Sequence, residues 1–140
     1  MTLRISIFVF VLAVASIPAF PQEQKLHKTT APQTSAASGK QMYTAYCGSC
    51  HGTSGKGDGP AASSLKTTPP DLTTLKAKAN GKFPGAHVYQ VIKGDANTPA
   101  HGSKDMPVWG PVFLRLSGSH GAEVHQRIDN LTRYIESIQH

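Results

Sequence analysis

The sequence predicts an all-α protein with three main helices joined by long loops. Two observations carry this. Apolar residues recur three and four positions apart in three separate stretches, near residues 38–47, 86–94 and 122–138, which is the repeat of one helix face. The stretches between them draw on 13 glycines and 10 prolines in 140 residues and read as turns and loops. A chain of this length fits one domain.

The N-terminus lies outside that domain. Met1-Thr2-Leu3-Arg4 carries one positive charge, residues 5–15 are apolar apart from Ser6, and Ser16-Ile17-Pro18-Ala19 supplies small or chain-breaking residues. These are the three regions of a secretory signal, assigned to residues 1–19 with cleavage after Ala19. The apolar run is shorter than the roughly 20 residues of a membrane span, so a membrane tether is expected only if the signal stays uncleaved. An exported, periplasmic or extracytoplasmic protein follows. Residues 20–37 are rich in Gln, Lys, Thr, Pro, Ala and Ser, with Leu26 the only large aliphatic side chain, and are expected to form a flexible leader. The folded domain is assigned to residues 38–140.

Its first helix is expected to start at Ser38, with Gln41 three residues on as in a capping box. Met42, Tyr43 and Tyr46 share one face, which places Met42 in the core. The helix runs into Cys47-Gly48-Ser49-Cys50-His51. Two thiols three positions apart on one turn can each bond one edge of a porphyrin, and the next imidazole then lies beneath the iron. Three alternatives were weighed. A dithiol redox motif normally opens the helix of a βαβ unit, and no strong β-run precedes Cys47. A zinc site needs a second ligand pair, but these are the only two cysteines. A plain disulfide would not need His51, and an exported, non-haem disulfide protein stays open as the remaining alternative.

Gly52-Thr53-Ser54-Gly55-Lys56-Gly57-Asp58-Gly59-Pro60 follows, a loop that can turn tightly and pass close to a flat ligand. A ligating imidazole needs an acceptor on its second nitrogen, and the Pro60 carbonyl is the candidate. Taken together, the pentapeptide, this loop and a later methionine loop resemble a monohaem class I cytochrome c over residues 38–138. The resemblance implies a cytochrome c-like fold wrapped around one covalently bound haem c. Cys47 and Cys50 are then the attachment points, and His51 is one axial ligand of the iron.

The remaining elements are read beside that resemblance. Residues 61–65 form a short turn. Thr68-Pro69-Pro70-Asp71-Leu72 resembles the family's P-x-x-L segment, with Leu72 and Leu65 against the haem and Asp71 capping the next turn. Asn80-Gly81 makes a turn into a helix bearing Val88, Val91 and Ile92 and stopped by Gly94. Residues 95–105 lead to Met106-Pro107-Val108-Trp109, which looks like the methionine motif. Met106 is thus the second axial ligand, with His101 as the competing one, and Trp109 lies near the haem edge. Residues 111–116 are expected to form a short apolar turn and residues 118–121 a linker. The final helix places Val124, Ile128, Leu131 and Ile135 on one face. The family's helix crossing predicts that Gly39 meets Tyr134. His27, His87, His125 and His140 are expected to be solvated or on an exposed face.

The expected function is one-electron transfer between respiratory-type redox partners, without catalysis of its own. The alternatives are a cytochrome subunit of a larger dehydrogenase or oxidase complex, and a haem protein whose open distal site binds small ligands. The formal net charge of +6 suits redox partners with an acidic docking face. Scattered lysines and no recognisable binding motif argue against nucleic acid.

Overall fold

The structure is a computed structural model that describes residues 31–95 and 106–140. The expected signal, the leader up to residue 30, His27 and His101 lie outside the described residues. Among those described, the regular elements are all helical: α1 (Gly39–Tyr46), α2 (Gly48–His51), α3 (Leu75–Lys78), α4 (Gly85–Lys93), α5 (Trp109–Leu116) and α6 (Gly121–Ser137). Short 3-10 turns occupy Ala62–Ser64 and Leu72–Thr74.

Helix α1 starts where its cap requires. The Ser38 hydroxyl accepts the Gln41 N–H at 3.2 Å and satisfies one of the free donors at the helix start. Gly39, Met42, Tyr43 and Tyr46 then form one buried face. That face crosses α6, whose Ile128, Leu131 and Ile135 are buried against it. The crossing depends on Gly39. A Cβ there would be driven into the Asn130 carbonyl and would stand 2.9 Å from the Tyr134 Cβ, so the expected Gly39–Tyr134 meeting is observed. Met42 is fully buried and belongs to the core, as its place on the helix face implied.

Helix α4 adds Val88 and Ile92 to the core and ends at Gly94. The expected apolar turn at 111–116 is instead a helix of two turns, α5, beginning at Trp109. Pro111 is its third residue, where the backbone N–H has no partner within the helix, so proline is tolerated there. Phe113 is consequently turned inward and fully buried. Gly110 rests against the Lys93 carbonyl, which brings the start of α5 to the end of α4.

Residues 31–37 fall in the expected flexible leader, yet they are anchored. The Tyr46 hydroxyl donates to the Pro32 carbonyl at 2.7 Å, and the Asn130 amide donates to the Ala36 carbonyl at 2.8 Å. Arg127 donates to the Thr34 carbonyl at 3.1 Å. These long-range partners are invisible in a polar stretch read by composition. Among the described residues, no helix is long and apolar enough to cross a membrane.

Candidate functional site

The chain turns from α1 into α2 at Cys47. Its N–H donates to the Tyr43 carbonyl at 2.8 Å, closing α1, while its own carbonyl accepts the His51 N–H at 2.8 Å and opens α2. Cys47, Cys50 and His51 are therefore presented on one short turn. Both cysteines are half-buried free thiols. Burial, and secondarily Cys50, pushes the Cys47 thiol up to about 12. A dithiol redox site needs the opposite shift, so the redox reading loses its chemistry. No three His, Cys, Asp or Glu side chains come together as a metal cage among the described residues.

The glycine-rich loop closes this turn from below. Gly57 N–H donates to the His51 carbonyl at 2.8 Å, Gly59 N–H to Cys50 at 3.2 Å and Ala61 N–H to Ser49 at 2.9 Å. These bonds satisfy the carbonyls left open at the end of α2. From above, the Tyr43 hydroxyl donates to the Gly52 carbonyl at 2.9 Å. Gly57 has φ of 80°, and a Cβ on it would enter the Pro69 carbonyl. The loop thus lies flat against Pro69 and Pro70, and the Leu72 N–H is tied to the Gly55 carbonyl at 2.7 Å.

His51 is 9% exposed, and its Nδ1 is buried with no hydrogen-bond partner among the described residues. Desolvation lowers its pKa, and the Pro70 backbone carbonyl acts against that shift. The Pro70 carbonyl thus acts on the imidazole electrostatically, without a hydrogen bond to Nδ1, and no bond from the Pro60 carbonyl reaches it either. Pro60 is exposed, and its neighbours Gly59 and Ala61 are used to run the chain along α2. Two consecutive prolines before Asp71-Leu72 are legible in the sequence, but the folding of the loop back onto them at Gly57 is not.

The other expected site residues are placed as follows. Leu72 is half-buried against the core in the turn Leu72–Thr74, and Asp71 caps that turn by accepting the Thr73 N–H at 2.8 Å. Leu65 is half-buried after Ala62–Ser64, and Met106 is half-buried three residues before α5. Trp109 opens α5 and packs on Tyr46 and Phe113, with ring centroids 5.0 Å and 5.6 Å away. Tyr46 directly precedes Cys47, so α5 is joined to the cysteine turn through aromatic rings. The sequence does not show that link, because residues 111–116 resemble a short apolar turn and only the structure makes them a helix. Two surface clefts of roughly 500 Å³ lie elsewhere, one between α4 and α6 and one beside α1, and neither is lined by Cys47, Cys50 or His51.

Two free thiols on one turn, followed by a buried imidazole whose Nδ1 is unpaired among the described residues, fit covalent attachment of a porphyrin with histidine beneath its metal. Helical elements enclose that turn, and the protein class so defined is a c-type haem protein. The Cytochrome c family model matches residues 36–139, and the chain belongs to the cytochrome c family. It accordingly carries one covalently bound haem c with its iron and acts in electron transfer. No curated relative and no solved structure matches the chain.

Proposed function

We propose that this protein is an exported, periplasmic one-electron carrier whose haem iron is held between His51 and Met106. The buried state of His51 carries the reading. An imidazole with its pKa lowered by desolvation is neutral at physiological pH, the form that coordinates iron. Residues 51–59 and the Pro69-Pro70 backbone hold it in place on one side of the site. Met106 supplies a thioether, followed by Pro107, whose ring fixes the chain direction. When bound, haem c supplies a one-electron ferric/ferrous couple, and a methionine ligand favours the reduced form. Trp109 is the residue whose indole N–H would hold a haem propionate.

Export rests on residues 1–19, and the partners are redox proteins with an acidic face, to which the chain is steered by a net charge of +6 that becomes +5 once Arg4 leaves with the signal. If the signal were retained, it would tether the domain through residues 31–37, which are anchored to α1 and α6. The test is an oxidised-minus-reduced spectrum of protein exported from cells able to attach haem. A c-type spectrum is expected, with a weak far-red band from methionine sulfur on ferric iron that disappears in Met106→Ala. Absence of that band from the wild type would move the second ligand to His101 or leave the position open. Carbon monoxide binding to the ferrous wild type would mark the open site, and recovery only as part of a larger assembly would mark a complex subunit.

A further inference from the structure

Helices α4 and α6 are joined at the surface by a tyrosine and a histidine. The Tyr89 hydroxyl lies 2.5 Å from His125 Nδ1, and the two rings are stacked, with centroids 6.3 Å apart and planes 13° from parallel. Tyr89 is half-buried against the core, whereas His125 is exposed. The pairing assigns the tautomer: the phenol donates to Nδ1, and Nε2 carries the ring proton. The chain has four tyrosines, and they differ in what their hydroxyls touch. Tyr43 donates to the Gly52 carbonyl at 2.9 Å. Tyr46 meets the Pro32 carbonyl and the Thr34 hydroxyl, each at 2.7 Å. Tyr134 packs its ring on Tyr43, with centroids 5.1 Å apart, and its hydroxyl has no hydrogen-bond partner among the described residues. Tyr89 alone of the four is bonded to a base among those residues.

That difference decides which phenol can be oxidised. A phenol of ordinary pKa about 10 becomes a strong acid once an electron leaves its ring, so the electron leaves readily only where the proton leaves with it. A carbonyl or hydroxyl oxygen does not hold that proton at neutral pH. A neutral imidazole, whose ordinary pKa is about 6.5, takes it when it stands within hydrogen-bond reach, as Nδ1 does. Asp129 follows His125 by one turn of α6 and lines the same cleft as Tyr89, and its negative charge favours the imidazolium that results. The cleft is open at the surface, which gives a small oxidant a route to the ring.

We propose that Tyr89 and His125 form a redox-active pair, outside the cysteine turn, that gives one electron to a strong one-electron oxidant while the phenol proton passes to Nδ1. The O–H bond breaks and an N–H bond forms; tyrosine is oxidised to a neutral radical, imidazole becomes imidazolium, and the oxidant is reduced by one electron. A reductant that returns the electron draws the proton back from Nδ1 and restores the phenol. None of this depends on which residues ligate the iron.

The test uses the ferric holoprotein, oxidised by a photogenerated ruthenium(III) polypyridyl complex and frozen for electron paramagnetic resonance. A tyrosyl radical is expected, identified by the change in its hyperfine pattern when the tyrosines carry ring deuterium. Tyr89→Phe keeps the ring and its packing and removes the signal. His125→Gln keeps an acceptor but no base; radical formation slows about tenfold or more, and free imidazole restores it. Tyr134→Phe leaves yield and rate in place. A contact that only holds α4 against α6 gives no rescue by imidazole. If Tyr89→Phe yields no holoprotein, the exposed position of His125 carries the test through that rescue. The proposal is overturned by a wild type without the radical, by a signal that survives Tyr89→Phe or ignores tyrosine deuteration, or by equal rates in the wild type and His125→Gln.

Discussion

Arg127 is charged, 3% exposed, and bonded on every side. Its guanidinium reaches Glu123 at 2.7 and 3.1 Å, Ser117 at 3.3 Å, Thr34 at 3.1 and 3.2 Å, and the Met42 sulfur at 3.8 Å. Removing Glu123 would leave that charge buried without its counter-ion. Because the Glu123 side chain is itself partly open to water, Glu123→Ala is expected to lower the urea midpoint by less than the loss of a fully buried pair would. The hydrogen bond from Arg127 is also the largest cause holding the Glu123 carboxyl below its ordinary value of 4.5. A carboxyl with a depressed folded-state pKa contributes stability above its unfolded value, and that contribution is lost as pH falls through the folded value. The wild type therefore loses stability below about pH 4.5, and Glu123→Ala loses less over the same range. Asp71, lowered first by the Thr73 hydroxyl, acts in the same direction, so the variant keeps part of the acid response. Tyr43 gives a second residue-level test. Tyr43→Phe leaves the Gly52 carbonyl unpaired beside the cysteine turn and should cost about 1–2 kcal/mol by the same measurement.

At the scale of elements, the crossing of α1 and α6 is the joint most sensitive to volume. The backbones approach so closely at Gly39 that no side chain fits between it and Asn130. Gly39→Ala should improve helix propensity locally and still destabilise the protein by about 3 kcal/mol, because overpacking forces the helices apart. A drop in thermal midpoint is the expected result; an unchanged midpoint would show that the crossing can relax. Helix α5 plays a different part. It is packed on α6 and the end of α4, and its Trp109 and Phe113 rings lie tilted against Tyr46, so a shift of α5 reaches the residue before Cys47.

At the scale of the whole molecule, the buried apolar side chains among the described residues come from four helices. Apart from the side chains of α1, α4, α5 and α6 that meet at the crossing, Leu65, Leu72 and Trp109 are only half-buried, and Val108 and Leu114 are 52% and 42% exposed. A bound group that binds only the folded state adds its binding free energy to stability. Replacing both cysteines, Cys47→Ser with Cys50→Ser, should thus abolish covalent haem and lower the thermal midpoint by well over 10 °C, read by near-ultraviolet circular dichroism. Electron transfer to an acidic partner should slow as ionic strength rises from about 0.01 to 0.1 M, since the Debye length shrinks from roughly 30 to 10 Å and steering is screened.

What the sequence determined by itself was local. Cys47, Cys50 and His51 are adjacent in the chain, so their spacing alone specifies one turn and one cofactor. The caps at Ser38 and Asp71, the stop at Gly94 and the apolar face of α6 were legible for the same reason, because each depends on residues within one or two turns. The Gly39–Tyr134 meeting was legible only through resemblance to a family. Contacts between distant segments were decided by the tertiary structure. The glycine-rich loop and the Pro69-Pro70 pair lie apart in sequence, and only the fold lays Gly57 against the Pro69 carbonyl. Residues 31–37 are polar by composition and are held because Arg127, Tyr46 and Asn130 converge on them. Gln139 reads as a frayed helix end, yet the return of α6 lets its amide donate to the Leu72 carbonyl, since a backbone carbonyl finds its partner by proximity in space and carries no mark in the sequence.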